Sequence, residues 1–216
     1  MSGDVNPAGA LPSLRQAQVA HTEQRILAAA TELFLEGGYL ATTLEAVARR
    51  AQVGARTVYL RFGTKAALFK RVIDVAIVGD TEPVDVLGRD WMQAALTAPT
   101  AAERVAASAA ASRQIMQRTG ALFAVAQQAA VEPLVAGFWQ QGREQTRHAF
   151  AVFWTRMAED GLLGPAADLT WLIDTTSILA AAETYLLITR TTGWDPDEYE
   201  RWLIRTFSQL MATPAR

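Results

Sequence analysis

The chain is 216 residues long, 50% hydrophobic, free of cysteine, and carries a formal net charge of −2. Such a length buries a sizeable core, as one large domain or two unequal ones, and the missing thiols exclude a disulfide framework or thiolate metal site, as befits a reducing cytoplasm. No apolar run reaches the length of a membrane span, because Asp174 and Glu183 interrupt the best candidate, and the N-terminus lacks a signal-peptide pattern, so neither a membrane partner nor export is expected.

Abundant alanine at helical period, with few stretches rich in β-branched residues, predicts an all-α protein of nine or ten helices. Residues 1–12, with two prolines, two glycines and little apolar content, read as a disordered arm. A first domain is expected over 13–64. Within it, Thr42 and Glu45 have the spacing of a capping box, placing Leu44, Val47 and Ala48 on the inner face of a short helix ending near Gln52. A second helix of about two turns follows from Ala55 to Phe62, anchored by Val58 and Phe62. Two short helices joined by a tight turn make a helix-turn-helix, whose second member enters the major groove of DNA. The candidate DNA contacts are Thr42, Thr43, Ala55, Arg56, Thr57, Tyr59, Leu60, Arg61 and Lys65. Arg56 suits a bidentate contact to guanine, with a phosphate as its competitor, and the Thr57 methyl suits a thymine methyl. Thr43, Tyr59 and Lys65 offer hydroxyl and ammonium groups to phosphate oxygens.

The stretch RILAAATELFLEGGYLATTLEAVARRAQVGARTVYLRFGTKAALFKRVI resembles the N-terminal domain of the TetR family of ligand-responsive transcriptional repressors. The parts that carry the likeness are a first helix ending at Gly38-Tyr39, the Thr42-Thr43 pair, Thr57-Val58-Tyr59, Phe62, and Lys65 followed by Leu68. Three positions depart from it: Gln52 stands where the family has its turn glycine, Gly54 where it has a capping serine, and Arg61 where histidine is common. The first two are expected to loosen the turn. The resemblance implies a homodimer on a palindromic or near-palindromic operator, with a small-molecule effector. The charge distribution points the same way: residues 1–75 hold nine Lys or Arg against six Asp or Glu, a net +3, so the remainder is −5.

Residues 65–216 are expected to form a helical ligand-binding and dimerisation domain. Lys65 to about Gly79 reads as a connector helix capped by Thr64, with Leu68, Phe69, Val72, Val75 and Ala76 on one face. Glu82-Pro83 and Ala98-Pro99 bracket a helix containing Trp91 and Met92. Thr100 with Glu103 forms a capping box, and helices are predicted over 100–118, 121–131 and 133–160, with Pro133 at a first helical position and Gly161 as the stop. Asp168 to Thr191 reads as one helix, and Asp195-Pro196-Asp197-Glu198 opens a last one with Trp202, Leu203, Thr206, Phe207 and Leu210 as its stripe. Candidate ligand-lining residues are Trp91, Met92, Met116, Phe123, Trp139, Phe150, Trp154 and Glu183, with Tyr185 beside them; any of the aromatics also suits an ordinary core. Glu183 needs a partner, such as Arg147 or Arg156, a polar dimer seam or a cationic ligand. By the resemblance, the last two long helices supply a four-helix dimer seam, for which Leu172, Leu179, Leu186, Leu203, Phe207 and Leu210 are the candidates.

An enzyme or carrier is the second class considered. The chain has no G-x-S-x-G elbow, no phosphate-binding glycine loop and no close histidine pair, since His21 and His148 lie far apart; no catalytic residue, metal or cofactor is assigned. A third class is a helix-turn-helix scaffold that has lost its operator, for which Gln52 and Gly54 are the hints. Ligand in the second domain would shift the connector and respace the two reading heads, a coupling of typically about 1–3 kcal/mol.

Overall fold

The computed structural model describes residues 14–81 and 86–212. The expected arm at 1–12 and the Glu82-Pro83 turn signal lie outside them. Among the described residues there are ten helices and no strand: α1 (Leu14–Ala41), α2 (Leu44–Arg50), α3 (Ala55–Phe62), α4 (Lys65–Val78), α5 (Asp90–Thr97), α6 (Ala101–Gln128), α7 (Pro133–Glu159), α8 (Leu169–Leu179), α9 (Ala182–Thr192) and α10 (Pro196–Ala212). No single helix is long and apolar enough to cross a membrane; α8 and α9 reach that length only as a pair bent by 52°.

Local chemistry sets most of the boundaries. The Thr100 and Glu103 side chains form both halves of a capping box, Thr64 accepts from the Ala67 N–H, and Asp195 and Glu198 cap each other's backbone N–H groups. Pro133 opens α7. The helical run of α1 is broken at Gly38, whose φ of 74° with ψ of 177° is open only to glycine. That break swings Tyr39 inward, against Phe34 and Phe69.

Three expectations need correction. The capping residue of α2 is Thr43, which accepts from the Ala46 N–H, while Thr42 is buried and turns its hydroxyl back onto the carbonyls of Gly38 and Leu33. The helices expected over 100–118 and 121–131 are one, α6, which ends at Gln128. Its interior Gly120 is explained by packing: a Cβ there would stand 2.9 Å from Cε1 of Tyr185 on α9. Asp168 to Thr191 is two helices, because Ala181 takes an extended backbone and the Thr184 hydroxyl binds the carbonyl of Ile178 across the break. The bend lets α8 pack on α7 while α9 lies against α6.

Two apolar clusters result. The first joins Phe34, Val47, Val58, Leu68 and Phe69 of α1 to α4 with Leu122, Ala126 and Val135 from the α6–α7 corner. The second gathers Phe150, Phe153, Trp154, Leu172, Tyr199, Leu203 and Phe207. Phe123 packs against both. Truncating a fully buried ring such as Phe69 to alanine costs about 3–5 kcal/mol.

Candidate nucleic-acid interface and cavity

Helix α3 is held from beneath by a single fully buried side chain, Val58, with Phe62 half-buried behind it. Its opposite face presents Ala55, Arg56, Thr57, Tyr59 and Leu60 to solvent, Leu60 being 76% exposed. Arg56 has no side-chain hydrogen bond or ion pair among the described residues, so its guanidinium is available to a base edge or phosphate. The turn before α3 closes at a cost. Gln52 stands at φ 54°, in the left-handed region, while the Val53 N–H reaches the carbonyl of Ala48 and Arg25 donates to the carbonyls of Ala51 and Gln52. Gly54 is the N-cap residue of α3 and brings no capping side chain.

Other predicted contacts are differently placed. Thr43 is exposed at the α2 N-terminus, where free N–H groups suit a phosphate. Lys65 lies over the Tyr39 ring at 4.3 Å and donates to the carbonyls of Tyr39 and Leu40, so it seals the end of α1 while its ammonium remains near the surface. Arg61 turns back to Glu23, which also receives Arg71, and Thr42 is buried at 3% exposure; neither side chain faces outward with the rest. Sequence reasoning took Glu45 only as a capping-box acid and missed its contact with Tyr59: the Tyr59 hydroxyl donates to its carboxylate, which lowers the acid's pKa and raises the phenol's. A fixed anion therefore sits among the groups suited to phosphate.

A cavity of about 470 Å³ lies between α4, α6, α7 and the start of α9. Of the predicted ligand residues, Met92, Met116, Phe123, Trp139, Phe150 and Glu183 line it. Trp91 does not. Trp154 is wholly buried and donates through Nε1 to the Thr176 hydroxyl, and Tyr185 packs edge-on against Tyr199; both are core. The partner of Glu183 is Arg143, at 2.9 Å, because Arg147 is taken by Asp174 and Arg156 by Glu159 and Asp160. Polar lining residues missed from sequence are Asp74, Ser108, Ser112, Arg143, Gln145, Thr146 and His148. The overlooked signal was the α7 series Trp139, Gly142, Thr146, Phe150, Phe153, one helical stripe on which small and polar residues interrupt aromatic ones.

The residues expected at a dimer seam are mostly interior. Leu172, Leu186, Leu203 and Phe207 are buried within the chain, since the α10 stripe is consumed against α6 and α8, and Leu179 and Leu210 are half-buried. On α8 and α9 the large apolar groups left exposed are Trp171, Ile178 and Leu187.

Comparison with known proteins places this geometry. Residues 26–72 match the family described as bacterial regulatory proteins, tetR family. Among solved structures, the chain is similar to NalD, the secondary repressor of the MexAB-OprM multidrug efflux pump in Pseudomonas aeruginosa, at 22% identity and a TM-score of 0.65, over 88% of this chain and 96% of that one. It is also similar to MexZ, a repressor responsible for antibiotic resistance in Pseudomonas aeruginosa, at 20% identity and a TM-score of 0.60, over 90% and 96%. GusR of Salmonella enterica matches at 17% identity and a TM-score of 0.60, over 89% and 96%. At these identities the likeness establishes the fold. Among curated proteins no sequence matches the chain.

Proposed function

Because the chain belongs to the TetR family of bacterial regulatory proteins, and is thereby a DNA-binding transcriptional regulator, we propose that it is a cytoplasmic repressor released from its operator by a small molecule. In this reading residues 13–64 are the reading head, 65–216 bind the effector and a second protomer, and α4 connects the two. One observation carries it: α4, which follows directly on the reading head, is also a wall of the cavity through Asp74, Ile77 and Val78. A molecule filling that space works on the helix that sets the position of α3. Release then requires tighter binding of effector to the conformation that does not fit the operator.

Arg56 and Thr57 read base edges, while Thr43, Tyr59 and Lys65 position the head on phosphates. One head contacts too few bases to be selective, so two act together on half-sites about one helical turn, or a multiple of it, apart. A second copy docks on Trp171, Ile178 and Leu187, whose exposure leaves apolar area for a partner. Selection from a randomised duplex pool tests the proposal. It predicts recovery of a two-fold symmetric site bound by two protomers; a pool that never departs from random sequence rejects it.

A further inference from the structure

The lining of the cavity narrows the chemistry of its occupant. We propose that it takes an uncharged aromatic molecule that donates a hydrogen bond, of the phenol type; this rests on the effector reading above. Aromatic walls come first: Phe123 and Trp139 meet edge to face at 5.5 Å, and Phe150 and Phe153 stand along the same stripe of α7. Such faces and edges suit a flat ring.

Charge comes second. The Asp74 carboxylate receives Lys70 at 2.7 Å, and Glu183 receives Arg143 at 2.9 Å. Each lining carboxylate already has its cation, so a charged occupant would lose water and break an existing pair to be compensated.

The hydroxyls decide the polarity. Ser112 Oγ donates to the Ser108 carbonyl, and Thr146 Oγ1 donates to the Gly142 carbonyl, each at 3.0 Å. A hydroxyl has one proton and two lone pairs. With both protons spent on their own helices, these groups offer the cavity only acceptors. Gln145, His148 and the Ser108 hydroxyl carry donor and acceptor alike and do not discriminate, and the Arg143 guanidinium already donates to Glu183 and Gln140. The occupant is therefore asked to bring the proton.

Titration calorimetry of the full-length chain with 2-naphthol, 2-methoxynaphthalene and 2-naphthoate tests this. Gly142→Phe is the control, since Gly142 lines the cavity, a Cβ there meets nothing within 4 Å, and a ring at this position takes up the occupant's space. The expected result is 2-naphthol binding at least about tenfold more tightly than either relative, a difference of roughly one hydrogen bond. Gly142→Phe abolishes it, and the pair Ser112→Ala with Thr146→Val brings 2-naphthol to the level of the ether. An ether or carboxylate that binds as well as 2-naphthol, and is lost in Gly142→Phe, overturns the ligand class and leaves the effector cavity standing. Binding indifferent to Gly142→Phe, or no saturable binding of any probe, removes the cavity reading itself.

Discussion

Gln52 is the residue at which local chemistry and the fold disagree most. An amide side chain at φ 54° costs about 1–2 kcal/mol relative to a relaxed backbone, while glycine there adds back about 0.4–1 kcal/mol of unfolded-state entropy. Gln52→Gly is thus expected to stabilise the chain by about 0.5–1 kcal/mol in urea unfolding; an unchanged or lower midpoint would show that the turn is not strained. The departure at Gln52 was legible in the sequence as a missing glycine. What was not legible was how the turn still closes, because Arg25 lies 26 residues before Ala51, whose carbonyl it holds. Thr42 illustrates the opposite case: two adjacent threonines satisfy the same pattern, and only the break at Gly38 decides that Thr43 caps and Thr42 is buried. On the outward face, Arg56→Ala should relax preference at one position per half-site, at about 1–3 kcal/mol. Tyr59→Phe should weaken binding to every sequence alike; equal losses across operator variants for Arg56→Ala would make it a phosphate contact as well. The same Tyr59→Phe change frees Glu45, whose pKa should rise toward its ordinary value in an NMR titration. The sign follows from the lowered pKa: the Glu45–Tyr59 contact is fully present above the ordinary glutamate pKa and is lost as pH falls through the folded one.

Helices α6 and α9 pack closely at the contact of Gly120 with Tyr185. Alanine is the better helix former by about 1 kcal/mol, yet its methyl would enter the Tyr185 ring, and overpacking of a filled core costs about 1–3 kcal/mol. Gly120→Ala is expected to lower stability by about 1 kcal/mol, with the loss relieved in a Tyr185→Leu background. A stabilised variant would mean that the two helices do not approach so closely. This contact also explains why the element boundaries were only partly readable. Caps at Thr64, Thr100 and Asp195 and the proline at 133 act within one turn of chain and could be recognised locally. The interior glycine of α6 and the break at Ala181 have no local signature, because one is demanded by a ring more than sixty residues away and the other by the different partners of α8 and α9.

At the scale of the molecule, a basic N-terminal third of net +3 is joined to a remainder of net −5, an asymmetry suited to a protein that meets phosphate at one end. The all-helical architecture was legible from composition and period; the face proposed for a second copy was not. A leucine stripe announces that a helix is packed, and whether its partner lies in the same chain is a property of the tertiary fold: α10 spends its stripe internally, and among α8, α9 and α10 the exposed large apolar groups fall on the first two. Ile178→Glu is accordingly expected to shift a homodimer toward monomer in sedimentation equilibrium and to weaken operator binding at least about tenfold, whereas a dimer unchanged by it would move the seam elsewhere. The most direct measurement is a fluorescence-anisotropy titration of the chain against the DNA immediately upstream of its own gene, beside a scrambled duplex, at 50 and 200 mM salt. Two reading heads making about 6–10 phosphate contacts predict selective binding by two protomers that weakens about 10³–10⁵-fold between the two conditions. Weak binding with no preference over the scrambled duplex, also after Gln52→Gly, would contradict the account.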